Sequence, residues 1–301
     1  MNKSFKLIIP VIIIALVGAI VYWVVSSNPA RSGFDAQRTY NDVKFQIDLG
    51  PRTMGSAAHD KAAEWIISSL QKANWQVEVE QVYEVYGATT VGGQGINLKN
   101  IIAKRGSGAP WVILGSHYDS RSLADQDPDP AKRTLPVPGA DDGASTVAIL
   151  LELARVIPEE IDKQVWLVFF DDEDNGNSSG AGWSVGSTRF VSSLKGKPDI
   201  VVILDMLGDK NLDIYMEKNS NQEINNEIWA VAKELGYSQF IPTYKYAIID
   251  DHLPFIQAGI KAADVIDIDY PYWHTTQDTL DKISVQSLKA VGDTILKWLE
   301  Q

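Results

Sequence analysis

The chain has 301 residues, a formal net charge of −12 from 27 Lys and Arg against 39 Asp and Glu, and no cysteine. The missing thiols exclude disulfides, thiolate metal ligands and a cysteine nucleophile, so a bound transition metal has to be held by Asp, Glu and the four histidines, His59, His117, His252 and His274. The acidic balance, with no dense Lys/Arg stripe, excludes a nucleic-acid partner and suits a substrate with a cationic amine better than a polyanion.

Leu7 to Val25 is an almost unbroken apolar run, preceded by Lys3 and Lys6 and followed by Ser26, Ser27, Asn28 and Pro29. About 20 apolar residues span a bilayer as a helix, and flanking positive charge keeps that end in the cytoplasm. The expected layout is a cytoplasmic segment 1–6, a transmembrane signal anchor 7–26, a linker 27–34 and one large domain 35–301 outside the cytoplasm. The alternative is secretion after signal cleavage, but cleaved signals have a shorter apolar core, about 7–15 residues, and a small-residue cleavage site.

Beyond the anchor, Ala62, Ala63, Ile66, Ile67 and Leu70 lie at helical spacing up to Asn74, which can end a helix. Val77 and Val79 alternate with polar residues, as in a half-exposed strand; Ile101–Ile102 and Trp111–Leu114 predict further strands. Residues 121–138 are rich in Asp and Pro without apolar period and predict a surface loop. Ala144–Val156 predicts a helix, with Val147, Leu150, Leu151 and Ala154 on one face. Val165–Phe170 is continuously apolar, as in a strand buried on both faces. Residues 172–186 predict a loop, Asp199–Leu204 a second buried strand, and Ile224 to Leu235 a helix stopped by Gly236. Val265, Ile266 and Ile268 predict a last strand, and Ser284 caps a terminal helix carrying Leu288, Val291, Ile295 and Trp298. Alternating strands and helices predict an α/β fold with a mainly parallel sheet covered on both faces.

Acidic or His-bearing clusters follow the apolar runs: Ser116-His117-Tyr118-Asp119, Gly139-Ala140-Asp141-Asp142-Gly143, Asp171-Asp172-Glu173-Asp174, Asp205, and Trp273-His274-Thr275-Thr276-Gln277-Asp278. In an open α/β sheet the carboxyl ends of the strands share one crevice, where ligands bind, and imidazoles with carboxylates in one crevice are zinc-site chemistry. Each cluster also has a plainer reading. Asp141 or Asp142 could be a helix N-cap, the acids at 171–174 a solvated loop, and His117 a buried hydrogen-bonded residue oriented by Asp119. Of adjacent acids such as Glu173 and Asp174, one can bind metal while the other moves protons. Thr and Asp near His274 could orient its ring. His252, in Asp250-Asp251-His252-Leu253-Pro254-Phe255, reads as a pocket residue or a helix-start feature, and His59 as a surface residue.

Taken together, these motifs, with Gly50-Pro51-Arg52-Thr53-Met54-Gly55-Ser56, resemble the M28 family of zinc exopeptidases and its offshoot, the glutaminyl-peptide cyclotransferases, over residues 35–301. The resemblance implies a three-layer α/β/α sandwich with a central mixed sheet. It implies peptide or protein N-termini as substrates, Asp142, Asp174 and His274 as zinc ligands, and Glu173 as general acid/base. In the dinuclear peptidases the equivalents of His117 and Asp205 complete a second metal site with Asp142 bridging; in the cyclases one zinc is bound and the Asp205 equivalent hydrogen-bonds to the catalytic Glu. Trp183 in the long loop after the acidic run and Trp273 before His274 resemble the aromatic walls of the cyclase pocket, in which His252 is also expected, with Asp250 beside Asp205 in the proton network. The expected reaction is therefore cyclisation of N-terminal glutamine to pyroglutamate with release of ammonia, on one Zn2+; the alternative is an aminopeptidase with two. The sequence departs from the animal cyclases in carrying Asp174 where they have Glu, and an acid near Asp264 where they have His.

Overall fold

The computed structural model describes residues 33–85, 95–176 and 182–301. The expected membrane helix over 7–26 lies outside these residues, and no described helix is long and apolar enough to cross a membrane. Residues Phe34–Gln301 form one unit.

The strands are β1 (Gln76–Val85), β2 (Gly95–Arg105), β3 (Trp111–His117), β4 (Gln164–Phe170), β5 (Ile200–Asp205), β6 (Ile214–Met216), β7 (Phe240–Tyr244) and β8 (Ala262–Ile266). Six of them make one sheet in the order β1-β2-β4-β3-β5-β8, and β6 and β7 pair separately. β3, β4, β5 and β8 run parallel, whereas β1 and β2 are antiparallel to their neighbours. The sheet is thus mixed, and its parallel half holds the continuous apolar runs. Leu114 of β3 sits beside Leu167 of β4 on one side and Val202 of β5 on the other.

Side chains alternate across a strand, and that alternation divides the core in two. Ala103, Val112, Leu114, Leu167, Val202, Leu204 and Val265 pack on one face. Ile102, Ile113, Val168, Phe170, Val201 and Ile203 pack on the other. The first face is covered by α2 (Ala57–Lys72), α3 (Ala144–Val156), α5 (Gln222–Leu235) and α7 (Val285–Leu299), with α1 (Ala36–Asp48) outside them. The second is covered by α4 (Val185–Ser193) and α6 (His252–Gln257) through Phe190 and Phe255. The result is three layers, helix on sheet on helix. Burial of each large apolar side chain contributes about 1.5–3 kcal/mol, which is why both faces of the apolar strands need a cover.

Four helices start at residues whose side chains accept a first-turn N–H, as polar caps do: Asp35, Ser56, Asn221 and Ser284. α3 is buried continuously from Ala144 to Ala154, not along one stripe as its periodicity predicts, because α1 and α7 pack over the face turned from the sheet. The last strand ends at Ile266 and does not include Ile268: Asp267 turns the chain away, accepting N–H groups of Asp213 and Asp269. His59 is no surface residue. It is buried in α2, with Nε2 2.7 Å from Asp171 Oδ1, and ties that helix to the acidic turn after β4.

The junction between that turn and α4 leaves no room for a side chain at Gly186. A Cβ there would stand 2.2 Å from the Asp171 carbonyl oxygen and 2.8 Å from its nitrogen. Gly186→Ala should destabilise by about 1–3 kcal/mol, as overpacking does, lowering the thermal midpoint by about 2–10 °C; a differential scanning calorimetry midpoint equal to the parent's would contradict this packing.

Candidate metal centre and active site

The parallel strands end on the same side of the sheet, and their last residues carry the chemistry. β3 ends in His117 and β5 in Asp205; Asp171–Asp174 follows β4 and the segment 267–278 follows β8. Asp142 stands in the turn before α3. The N-cap position of α3 is Gly143, with φ +87° and no side-chain cap, so Asp142 does not cap the helix. A Cβ at Gly143 would lie 2.8 Å from Asp119 O and 3.1 Å from the His117 ring; glycine lets the turn close on the site.

Asp142, Asp174 and His274 each offer a donor atom within 4.8 Å of the others. His274 Nε2 is 2.9 Å from Asp174 Oδ1 and 3.8 Å from Asp142 Oδ2. Asp142 Oδ2 and Asp174 Oδ2 are buried without a hydrogen-bond partner, a costly state for carboxylates unless a cation balances them. One imidazole and two carboxylates around a common point are a zinc donor set with an open fourth position. His117, Asp142 and Asp205 form a second such group: His117 Nε2 lies 3.1 Å from both Asp142 Oδ1 and Asp205 Oδ1. Asp142 belongs to both. The side chains of both groups are buried, and so is Glu173.

The turns that carry these groups are held from behind by two other acids. Asp119 faces His117 Nδ1 at 3.3 Å and accepts the backbone N–H groups of Glu173 and Asp174. Asp278 accepts the N–H groups of Asp141 and Asp142 and the Tyr270 hydroxyl. Arg52, fully buried, donates to the carbonyls of Tyr118, Pro138 and Gly139, which gives the Gly50–Ser56 motif its place in the site. Asp125 Oδ1 lies 3.5 Å from His274 Nδ1 and is bound by Arg121, which also donates to the Asp174 carbonyl. The sequence reading missed Asp125 and Arg121; both sit in the Asp-rich stretch 121–138, where composition signals only a loop.

A cavity of about 330 Å³ opens on the centre, lined by Asp142, Glu173, Asp174, Asp205, Asp250 and His274 together with Trp183, Trp273, Met206, Ile266, Ile268 and residues 246–249. The Trp183 ring lies parallel to His274 at 5.9 Å, and Trp273 stacks on it at 3.7 Å. The apolar wall Ala247-Ile248-Ile249 had no sequence signal beyond its apolar composition. His252, expected in the pocket, is not one of its lining residues: it is fully buried, between Glu217 and Asp264. A larger groove of about 700 Å³ between α5 and β7 offers one charged side chain, Lys233, and no ligating cluster, so size alone does not select the site.

Burial and crowding set the proton affinities. Glu173 is pushed well above the usual carboxylate range, first by burial and then by the neighbouring Asp250. Asp205 is pushed up to about 7 and Asp174 to about 6, both chiefly by burial. Burial acts the same way on Asp142, yet the hydrogen bond and charge of His117 outweigh it and hold that carboxyl below its ordinary value. Burial works against the charge on His117, but Asp205, Asp119 and Asp142 raise it well above an ordinary imidazole. The Ser184 hydroxyl donates to Glu173 Oε1 at 3.2 Å.

Residues 100–299 match the model of peptidase family M28. The chain belongs to that family. It is 27% identical to the glutaminyl-peptide cyclotransferase of Drosophila melanogaster over 86% of this chain and 81% of that protein. Among solved structures it is similar to a Zn-dependent exopeptidase from Parabacteroides distasonis, with a TM-score of 0.84, 31% identity, and coverage of 90% of this chain and 99% of the other. It is as similar to the Porphyromonas gingivalis glutaminyl cyclase, with a TM-score of 0.83, 31% identity, and coverage of 89% and 98%. M28 membership and the donor geometry support zinc as the ion.

His274→Ala removes the sole imidazole of the first group and should abolish tight zinc binding there, read as loss of about one equivalent by inductively coupled plasma mass spectrometry. Glu173→Gln should retain the parent's zinc. Unchanged zinc in the first variant, or lost zinc in the second, would reverse the assignment of these two residues.

Proposed function

We propose that the protein is a zinc-dependent glutaminyl-peptide cyclotransferase, converting N-terminal glutamine of peptides or proteins to pyroglutamate. The observation that carries this reading is the small cavity walled by Trp183 and Trp273 around His274, with Glu173, Asp205 and Asp250 at one side. It suits a short amide side chain folded back on its own α-amine, and a substrate filling the space between the aromatic walls would displace the water that competes with ring closure.

Asp142, Asp174 and His274 would hold the zinc, which when bound supplies a Lewis acid toward the γ-amide carbonyl. Glu173 accepts a proton from the α-amine as its nitrogen bonds to Cδ, and passes it to the departing amide nitrogen as the C–N bond breaks, so that ammonia leaves. Its raised proton affinity, from burial and from Asp250, suits a group that must take a proton from the amine and hold it until the amide nitrogen leaves. Asp205 and Asp250 share the charge change beside it, while Trp183 and Trp273 hold the side chain in the folded geometry.

A second reading is a dinuclear aminopeptidase. The group His117, Asp142 and Asp205, which shares Asp142 with the first, favours it. There Glu173 would take a proton from the water that attacks the first peptide bond. On either reading we place the catalytic unit outside the cytoplasm, anchored by residues 7–26 with the N-terminus inside, or secreted after cleavage; the apolar run after Lys3 and Lys6 supports this.

Gln-peptides and leucine anilides offered side by side separate the reactions. Ammonia from the first without anilide cleavage is the expected result, and efficient anilide cleavage without ammonia would replace the cyclase reading with the peptidase. Glu173→Gln should cut kcat about 10²–10⁴-fold, with the parent's KM within a few-fold. Prolonged chelation should abolish turnover and added Zn2+ restore it.

A further inference from the structure

Ser184 occupies the N-cap position of α4, yet it is not a capping serine. A capping serine has extended backbone and turns its hydroxyl to a first-turn N–H. Ser56 and Ser284 do this. Their φ angles are −81° and −121°, and their side chains accept the N–H groups of His59 and of Gln286 and Ser287. Ser184 instead has φ +55° and ψ +43°, and its side chain caps nothing. Its hydroxyl donates to Glu173 Oε1 at 3.2 Å.

A left-handed backbone is unfavourable for a residue with a Cβ, and here it is held from both sides. The Ser184 N–H donates to the Glu173 carbonyl and the Val185 N–H to the Asp172 carbonyl. The Ser184 carbonyl accepts the Thr188 N–H and the Ser187 hydroxyl. The residue is buried, as is Glu173. The helix thus starts without a side-chain cap and on a strained residue, and the result is a hydroxyl aimed at Glu173. Strain of this kind persists where the surroundings over-determine it, and it gathers at active sites. The other acids lining the cavity, Asp142, Asp174, Asp205 and Asp250, accept but do not donate when ionised. In that state they cannot pin an oxygen of Glu173, whereas a neutral hydroxyl can.

We propose that Ser184 is a positioning residue for Glu173: it holds Oε1 and leaves Oε2 as the oxygen that takes and gives the proton. In a neutral carboxyl group the carbonyl oxygen is the stronger acceptor, so the Ser184 hydrogen bond to Oε1 keeps the proton on Oε2. With Glu173 ionised, the same bond stops the carboxylate from turning. The inference rests on Glu173 as the proton carrier, a role it has in both the cyclase and the peptidase readings.

Two variants of the full chain separate positioning from a purely structural role. Ser184→Gly removes the hydroxyl and suits a left-handed backbone. Ser184→Thr keeps the hydroxyl and burdens that backbone with a branched side chain. Ser184→Gly should keep the parent's zinc content and at least its thermal midpoint. Its kcat for ammonia release from Gln-peptides should fall about 10- to 100-fold, as for a lost hydrogen bond to a charged group, with KM within a few-fold. Ser184→Thr should melt lower and yet keep more of the parent's kcat than Ser184→Gly. A structural role alone ranks the two variants the other way. The parent's kcat in Ser184→Gly would overturn the proposal, and if Ser184→Thr does not fold, Ser184→Gly decides alone. Crystal structures give a readout that needs no turnover. The parent should show one Glu173 side-chain conformer and Ser184→Gly a rotated or divided one; the same conformer in both would sink the assignment. A parent that releases no ammonia defeats the cyclase reading separately. The variants are then compared on leucine anilide cleavage, and on the crystal structures if neither substrate reacts.

Discussion

The structure depends on crowding negative charge into one buried crevice. Asp142, Glu173, Asp174, Asp205 and Asp250 all line a single cavity, and all are buried. Two carboxylates about 4 Å apart repel by about 4 kcal/mol at the effective dielectric of a protein. That repulsion leaves two outlets, a proton or a cation. The raised carboxyls of Glu173, Asp174 and Asp205 record the first; the partnerless oxygens of Asp142 and Asp174 leave room for the second. The rest of the fold is arranged to hold this crevice together. Asp119 and Asp278 accept backbone N–H groups from the turns that carry the ligands, and Arg52 gathers the carbonyls of the facing turn.

Holding those turns also costs backbone strain, and the strain is localised. Non-glycine residues with positive φ include Asp172, Ser184, Met206 and His274. Asp172 precedes Glu173, Ser184 donates to it, Met206 follows Asp205, and His274 is itself a candidate ligand. Such conformations cost about 1–3 kcal/mol each and persist where surrounding contacts over-determine them. Here the contacts are the hydrogen bonds just named and the three-layer core, whose continuous apolar strands leave their carboxyl ends no freedom to relax.

Much of this was legible in the sequence, for a physical reason. Strands buried on both faces must be unbroken apolar runs, so Val165–Phe170 and Asp199–Leu204 announce themselves, and polar residues at their ends stand out as chemistry. Helices with a dense apolar stripe or a polar cap, such as Ala144–Val156 and the one capped by Ser284, were equally plain. α1 was not, because two of its four buried positions, Thr39 and Gln46, are polar. The partners that orient the ligands were hidden too. Asp125 and Arg121 act across space from a loop whose composition carries no period. His59 read as a surface residue because nothing local reveals that Asp171 arrives beside it from 112 positions away. Long-range electrostatics, not propensity, decides those residues.

The same electrostatics bears on how many ions the centre holds. His117 Nε2 lies equally close to Asp142 and Asp205, while Asp119 faces Nδ1. With a proton on Nε2, the imidazolium bridges two carboxylates and the second group is satisfied without metal. His117, Asp142 and Asp205 are the residues that would hold a second ion in place of that proton. A second ion would have to displace that proton, so its binding would depend on how strongly the three acids hold it. The acids here hold it tightly, raising His117 well above an ordinary imidazole against the pull of burial. The ligand set alone therefore does not separate a cyclase from a peptidase, and the aromatic enclosure of the pocket by Trp183 and Trp273 is the feature that bears on that distinction.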